Sequence, residues 1–126
     1  MRINKYFVTG IGTDIGKTVI SAMLIEKLQA EFWKPVQAGN LKDSDSHFIQ
    51  EFTNCQKIHP EQFKLNEPMS PHAAAKIDGI KINLTDFEIP QTNSPLIIEG
   101  AGGLMVPLNY NDLVLDLLIH LNLEVI

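Results

Sequence analysis

The sequence predicts an α/β fold: a three-layer, doubly wound, mostly parallel sheet. Three observations carry this. Short apolar runs alternate with helical patterns along the chain, the sequence form of parallel strands joined by crossover helices. The first apolar run leads straight into a glycine-rich turn and then a helix. Residues 95–99 are apolar until the last position, as expected for a strand buried on both faces.

Taken in order, residues 3–9 hold Ile3, Tyr6, Phe7, Val8 and Thr9 and read as a buried strand. Residues 17–30 read as a helix. Val19, Ile20, Met23, Leu24 and Leu28 recur at spacings of three and four and define its apolar face, with Glu26, Lys27 and Gln29 in solvent. A second strand begins at Phe32-Trp33 and ends at Lys34-Pro35-Val36. Residues 37–44 are polar and glycine-bearing, hence loop. Residues 45–52 suit a short helix with Phe48, Ile49 and Phe52 inward. Residues 53–67 have weak periodicity and receive no assignment.

Ser70 suits an N-cap and Pro71 a first helical position; the alanines continue that helix and Gly79 ends it. Residues 80–89 fit either a short strand or a helical turn. After the strand at 95–99, residues 100–103 form a glycine loop, and Asn111-Asp112 caps a final helix over 113–121. The last residues, to Ile126, read as a helix exit and the opening of another apolar strand. The chain is therefore expected to be truncated at its C-terminus, residues 1–126 being one domain or the first part of a longer one; a short edge strand is the alternative.

Composition narrows the class. The net charge of −5 and pI near 5.2 argue against a nucleic-acid surface. A single cysteine, Cys55, precludes an internal disulfide and fits a reducing cytoplasm. No apolar run is long enough to span a bilayer, so no membrane partner is expected.

The chemistry starts at Gly10-Ile11-Gly12-Thr13-Asp14-Ile15-Gly16-Lys17-Thr18. Glycines let the backbone wrap closely, and N–H groups at a helix N-terminus attract anions. Lys17 would reach terminal phosphates and the Thr18 hydroxyl a Mg²⁺ ion. The layout is P-loop NTPase-like, with Gly10 and Gly12 flanking the place where the strict motif has its first glycine. Glu99 ends an apolar strand before a glycine run, where a carboxylate can hold Mg²⁺ beside a phosphate loop. Lys34 ends another strand and points to the same rim, where a cation can stabilise a carboxylate, carbamate or transferring phosphate. Asp45, read alone, is a helix cap or first-turn acid.

Five motifs in order carry a resemblance: the loop above, Lys34-Pro35-Val36-Gln37, Ser44-Asp45, Pro68-Met69-Ser70-Pro71-His72 and Glu99-Gly100-Ala101-Gly102-Gly103. Together they resemble the dethiobiotin synthetase family, from about Tyr6 to the end of the chain. The resemblance implies a ligase that closes the ureido ring of dethiobiotin from 7,8-diaminopelargonic acid, CO₂ and MgATP, acting as a homodimer in biotin biosynthesis. It implies that Asp14, Ile15, Gly16, Lys17, Thr18 and Val19 hold the ATP phosphates, with Asp45, Glu99, Gly100, Ala101 and Gly102 completing the nucleotide site. Lys17 and Lys34 would be the catalytic cations, and Thr18, Asp45 and Glu99 the Mg²⁺ ligands. Thr13, Lys34, Ala38 and Gly102 would face the diamine, and Ser70, Pro71 and His72 would shape the wall. Ala38 stands where the family usually has a hydroxyl. A partition-type switch ATPase is the first alternative, although Gly12 occupies the position of that class's signature lysine. Another amidoligase-type P-loop enzyme is the second.

Overall fold

The computed structural model describes residues 3–12 and 16–126. In chain order its elements are β1 (Lys5–Val8), α1 (Lys17–Leu28), β2 (Glu31–Trp33), β3 (Val36–Ala38), α2 (Asp45–Phe52), β4 (Ile58–His59), β5 (Phe63–Leu65), α3 (Pro71–Asp78), β6 (Leu96–Glu99), α4 (Val114–Leu121) and β7 (Glu124–Val125). Five strands form a parallel sheet in the order β4-β2-β6-β1-β7. The strands of its centre are apolar because both faces are covered. Val8, Phe32 and Ile97 pack with Ile25 of α1 and Ile49 of α2 on one side. Phe7, Trp33, Leu96 and Ile98 pack with Val114, Leu117 and Leu118 of α4 on the other. This is the doubly wound, three-layer arrangement expected.

Several local expectations need correction. The strand from Phe32 does not run through to Val36. Pro35 lacks an N–H for the ladder, so β2 stops at Trp33. The chain then leaves the main sheet, and β3 pairs in parallel with β5, matching Val36 to Phe63 and Ala38 to Leu65. Gln37 and Ala38 are thus strand rather than loop, and the unassigned stretch 53–67 supplies β4 and β5.

The expected inner face of α1 holds only in part: Leu24 and Leu28 pack on the core and Glu26, Lys27 and Gln29 are exposed, as expected. Val19, Ile20 and Met23 are exposed, while Lys17, Ser21 and Ile25 are buried at i, i+4 and i+8. Apolar and polar residues are spread round the whole circumference of this helix, so spacing alone selects its face poorly; the site draws Lys17 and Ser21 inward. α1 ends at Leu28, with Gln29 in the left-handed region at φ 52°.

In α2, Ile49 is buried but Phe52 is 64% exposed and stacks on Phe48 at 4.7 Å between centroids. Ser70 does not cap α3 with its side chain; its hydroxyl meets His72 Nδ1 at 2.9 Å instead. Pro71 begins α3, and Gly79 at φ 69° follows it. The N-cap of α4 is Leu113 rather than Asn111-Asp112; its N–H donates to Asp116 Oδ2 at 2.7 Å. Residues 84–86 form a short helical turn, one of the two options for 80–89. β7 pairs with β1 at the sheet edge, Tyr6 against Glu124 and Phe7 against Val125. Among the described residues, no helix is long and apolar enough to cross a membrane.

Candidate active site

Register brings the site together. Trp33 and Ile98 are opposed across β2 and β6, and Val8 and Glu99 across β1 and β6. Lys34, one step beyond Trp33, therefore emerges level with Glu99 and with the end of β1, where the phosphate loop starts. Alternation along a strand sets the facing side. Ile98 lies on the α4 side and Ile97 on the α1 side, so Glu99 turns toward α1.

There its carboxylate accepts from Ser21 Oγ at 2.8 Å on Oε1, and from Thr18 Oγ1 at 3.1 Å on Oε2. Lys34 Nζ reaches the same Oε2 at 3.2 Å and also pairs with Asp45. Asp45 is delivered by α2. Ser44 caps that helix, its Oγ accepting from the His47 N–H at 3.3 Å. Gln37 braces the approach, accepting from the Asp45 N–H at 3.3 Å and donating to the Gly39 carbonyl at 2.9 Å. Lys17 Nζ donates to the Gly12 carbonyl at 2.7 Å.

The glycines of two loops serve distinct ends. Gly16, at the N-cap of α1, has φ 93°, a conformation that L side chains rarely adopt. Gly103 packs on the phosphate loop itself: a Cβ there would lie 2.7 Å from the Ile11 carbonyl carbon and 2.9 Å from Gly12 N. The Gly10 carbonyl accepts from the Leu104 N–H at 3.0 Å, tying the two loops together.

These residues line a cleft of about 650 Å³, within the range of small-molecule sites. Gly16, Lys17, Thr18 and Val19 line it from the start of α1, with Lys34, Ala38, Asp45 and Glu99, and with Ala101 and Gly102 of the second glycine loop. Ser70 and Pro71 line it as well; His72 instead turns edge-on to Tyr110 at 5.6 Å. Gly100 is not brought to the cleft. It is buried, and a Cβ there would meet Phe7 at 2.9 Å. Thr13, Asp14 and Ile15, expected to contact diamine or phosphate, lie outside the described residues.

The electrostatics are those of a cation-seeking cluster. Burial works against the Asp45 charge, but Lys34 beside it holds the carboxyl below its ordinary value. Glu99 is fully buried. Desolvation raises its pKa, Lys34 opposes that, and the neighbouring Asp45 charge adds to it, leaving Glu99 at about 7. Two carboxylates here pair with one lysine. The hydroxyl and carboxylate oxygens are hard donors that suit Mg²⁺. Among the described residues no group of three or more His, Cys, Asp or Glu could hold a metal ion by itself. The donor set thus fits an ion that also takes phosphate and water oxygens, which is the usual way Mg²⁺ is bound.

A family model described as "AAA domain" matches residues 4–126. The chain belongs to the AAA domain family. Relatives of this AAA domain chain carry a more specific name. It is 51% identical to the ATP-dependent dethiobiotin synthetase BioD of Christiangramia forsetii, over 90% of this chain and 56% of the relative. It is 50% identical to the protein of the same name from Cytophaga hutchinsonii, over 98% and 61%. With that of Rhodopseudomonas palustris it shares 52%, over 97% and 59%. The chain spans between 56% and 61% of the length of these relatives.

The roles of two site residues, Ser21 and Gln37, escaped sequence reasoning. Ser21 carried a usable signal, since a polar residue four after Lys17 lies on the same helical face. Gln37 stands in the Lys34-Pro35-Val36-Gln37 motif, but its contact with the Asp45 N–H depends on where α2 begins.

Proposed function

We propose that this chain is the P-loop ATP-binding α/β domain, residues 1–126, of a ligase that closes the ureido ring of dethiobiotin. The observation that carries the reading is Lys34, held between Glu99 and Asp45 in the cleft that Lys17 and Thr18 also line. A phosphate loop alone accounts for a nucleotide. Lys34 adds a second buried cation at the same cleft; its ammonium has three N–H donors, two of them on Glu99 and Asp45, so the third can serve a carbamate beside the γ-phosphate. The names of the relatives support the choice of substrate.

In the proposed reaction one amine of 7,8-diaminopelargonic acid attacks CO₂ and loses a proton, giving a carbamate. The carbamate oxygen attacks the γ-phosphorus and ADP leaves, giving a carbamic–phosphoric anhydride. The second amine attacks the carbonyl carbon, phosphate departs, and loss of a proton leaves the closed ring. No covalent bond to the protein is required. Positioning and charge stabilisation suffice for phosphoryl transfer. Lys17 would neutralise the β- and γ-phosphates, and Lys34 the carbamate and the oxygens of the transferring group. Gly16 and Val19 would line the nucleotide, and Ala38 and Gly102 the diamine. Thr18, Asp45 and Glu99 would hold Mg²⁺, which when bound neutralises phosphate charge. A homodimer and a cytoplasmic location belong to the same proposal.

The test is turnover by the complete protein that carries this chain. Dethiobiotin and ADP are expected in equal amounts, with ADP release dependent on diamine, CO₂ and Mg²⁺. An ADP rate indifferent to the diamine would sink the ligase reading and favour a switch ATPase.

A further inference from the structure

We infer that Ser21 is a positioning residue that aims the Glu99 carboxylate at the bound metal. The inference rests on the proposed role of Glu99 as a Mg²⁺ ligand. Ser21 lies one turn beyond Thr18 on α1 and is fully buried, as is Glu99. The two carboxylate oxygens have different partners. Oε1 accepts from Ser21 at 2.8 Å, whereas Oε2 accepts from Thr18 and from Lys34, two residues that line the cleft.

The last torsion of a glutamate side chain is broad, so the carboxylate plane is not set by rotamer preference. A fixed donor on the rear oxygen removes that freedom and leaves the other oxygen toward Thr18 and Lys34. The helix itself gives no reason for serine here, since alanine is the better interior residue. A buried serine in a helix commonly bonds back to the carbonyl four residues earlier. This one donates instead across to β6. Partners of this kind orient metal ligands, and their loss typically weakens metal binding.

The measurement uses Mn²⁺ as the probe, its affinity for the protein read in the presence of ADP from the signal of free Mn²⁺. ADP affinity in EDTA and a melting curve in EDTA accompany it. Ser21→Ala is expected to weaken Mn²⁺ by about 10- to 100-fold, with metal-free ADP affinity retained. Ser21→Thr keeps the hydroxyl and is expected to recover most of the loss. If Ser21→Ala does not melt cooperatively, Ser21→Cys, of similar size and a weaker donor, takes its place and should show an intermediate loss. Wild-type Mn²⁺ affinity in the Ala or Cys variant overturns the inference. Equal losses of Mn²⁺ and metal-free ADP affinity overturn it too, because they mark a merely structural role. Wild-type protein that binds ADP without binding Mn²⁺ overturns the metal reading of Glu99 and this inference with it. That result differs from failure of the Ser21 variants alone.

Discussion

Lys34 is buried to within 6% of full enclosure, and its ammonium has two carboxylates for company. A cation so enclosed is oriented before any substrate arrives, so in the proposed reaction it would meet a developing negative charge with little rearrangement. Lys34→Ala is therefore expected to lower kcat by about 100- to 1000-fold, the scale seen when one charge-stabilising donor is removed. The Kd for MgATP should change far less, since the phosphate loop remains. Steady-state kinetics beside nucleotide titration separates the two; a variant that loses ATP binding but keeps kcat would refute the assignment. Lys34 was readable from its place at a strand end next to Pro35. Asp45 was not readable in the same way: alone it resembles a helix cap, the family resemblance made it an expected Mg²⁺ ligand, and the structure adds its ion pair with Lys34.

At the scale of the element, α1 is the instructive case. It supplies both the loop lysine and the hydroxyls that meet Glu99, so its rotation about its own axis is set by polar contacts as much as by apolar ones. Ile25 is 2% exposed and Met23 62% exposed, although the two are near neighbours in sequence. Ile25→Ala should cost about 2–5 kcal/mol through lost burial and a cavity. Met23→Ala should stay within about 0.5 kcal/mol, as surface substitutions do. Denaturant unfolding of both variants checks the rotation, and equal losses would mean that the helix packs on another face. The break between β2 and β3 belongs to this scale as well, since one proline ends a sheet ladder and frees the chain to pair elsewhere.

For the whole molecule, the carboxylate pair makes stability depend on pH. Glu99 holds its proton up to about 7 in the folded chain, but only to its ordinary value of 4.5 when unfolded. Between those values the native state carries the extra proton, so stability falls as pH rises, by on the order of 3 kcal/mol in the absence of metal. Asp45 and Glu31 act in the opposite sense at lower pH. Both are depressed below their ordinary values of 3.8 and 4.5 despite burial, Asp45 by Lys34, and Glu31 by hydrogen bonds from Thr92 and His59. Their contribution is complete above those values and lost as pH falls through the folded ones. Melting temperature without metal should thus drop on going from about pH 5 to about pH 8. MgATP should oppose that drop, because a metal ligand must be deprotonated to bind. Glu99→Gln should flatten the curve; a slope that survives this change would assign it to another group.

The sequence by itself determined what local chemistry determines. A glycine-rich turn between an apolar run and a helix marks the phosphate loop, and an acid or a lysine at the end of an apolar strand marks the rim. These features are written in neighbouring residues. The order of five such motifs was enough to indicate the family. Only the tertiary structure decided how they meet. Strand register set Lys34 level with Glu99, and the pleat turned Glu99 toward α1. The rotation of α1 then placed Ser21 rather than Ile20 against the sheet. Register and rotation depend on contacts between residues far apart in the chain, and a helix whose apolar and polar residues mix round its circumference carries little periodic signal to foretell them.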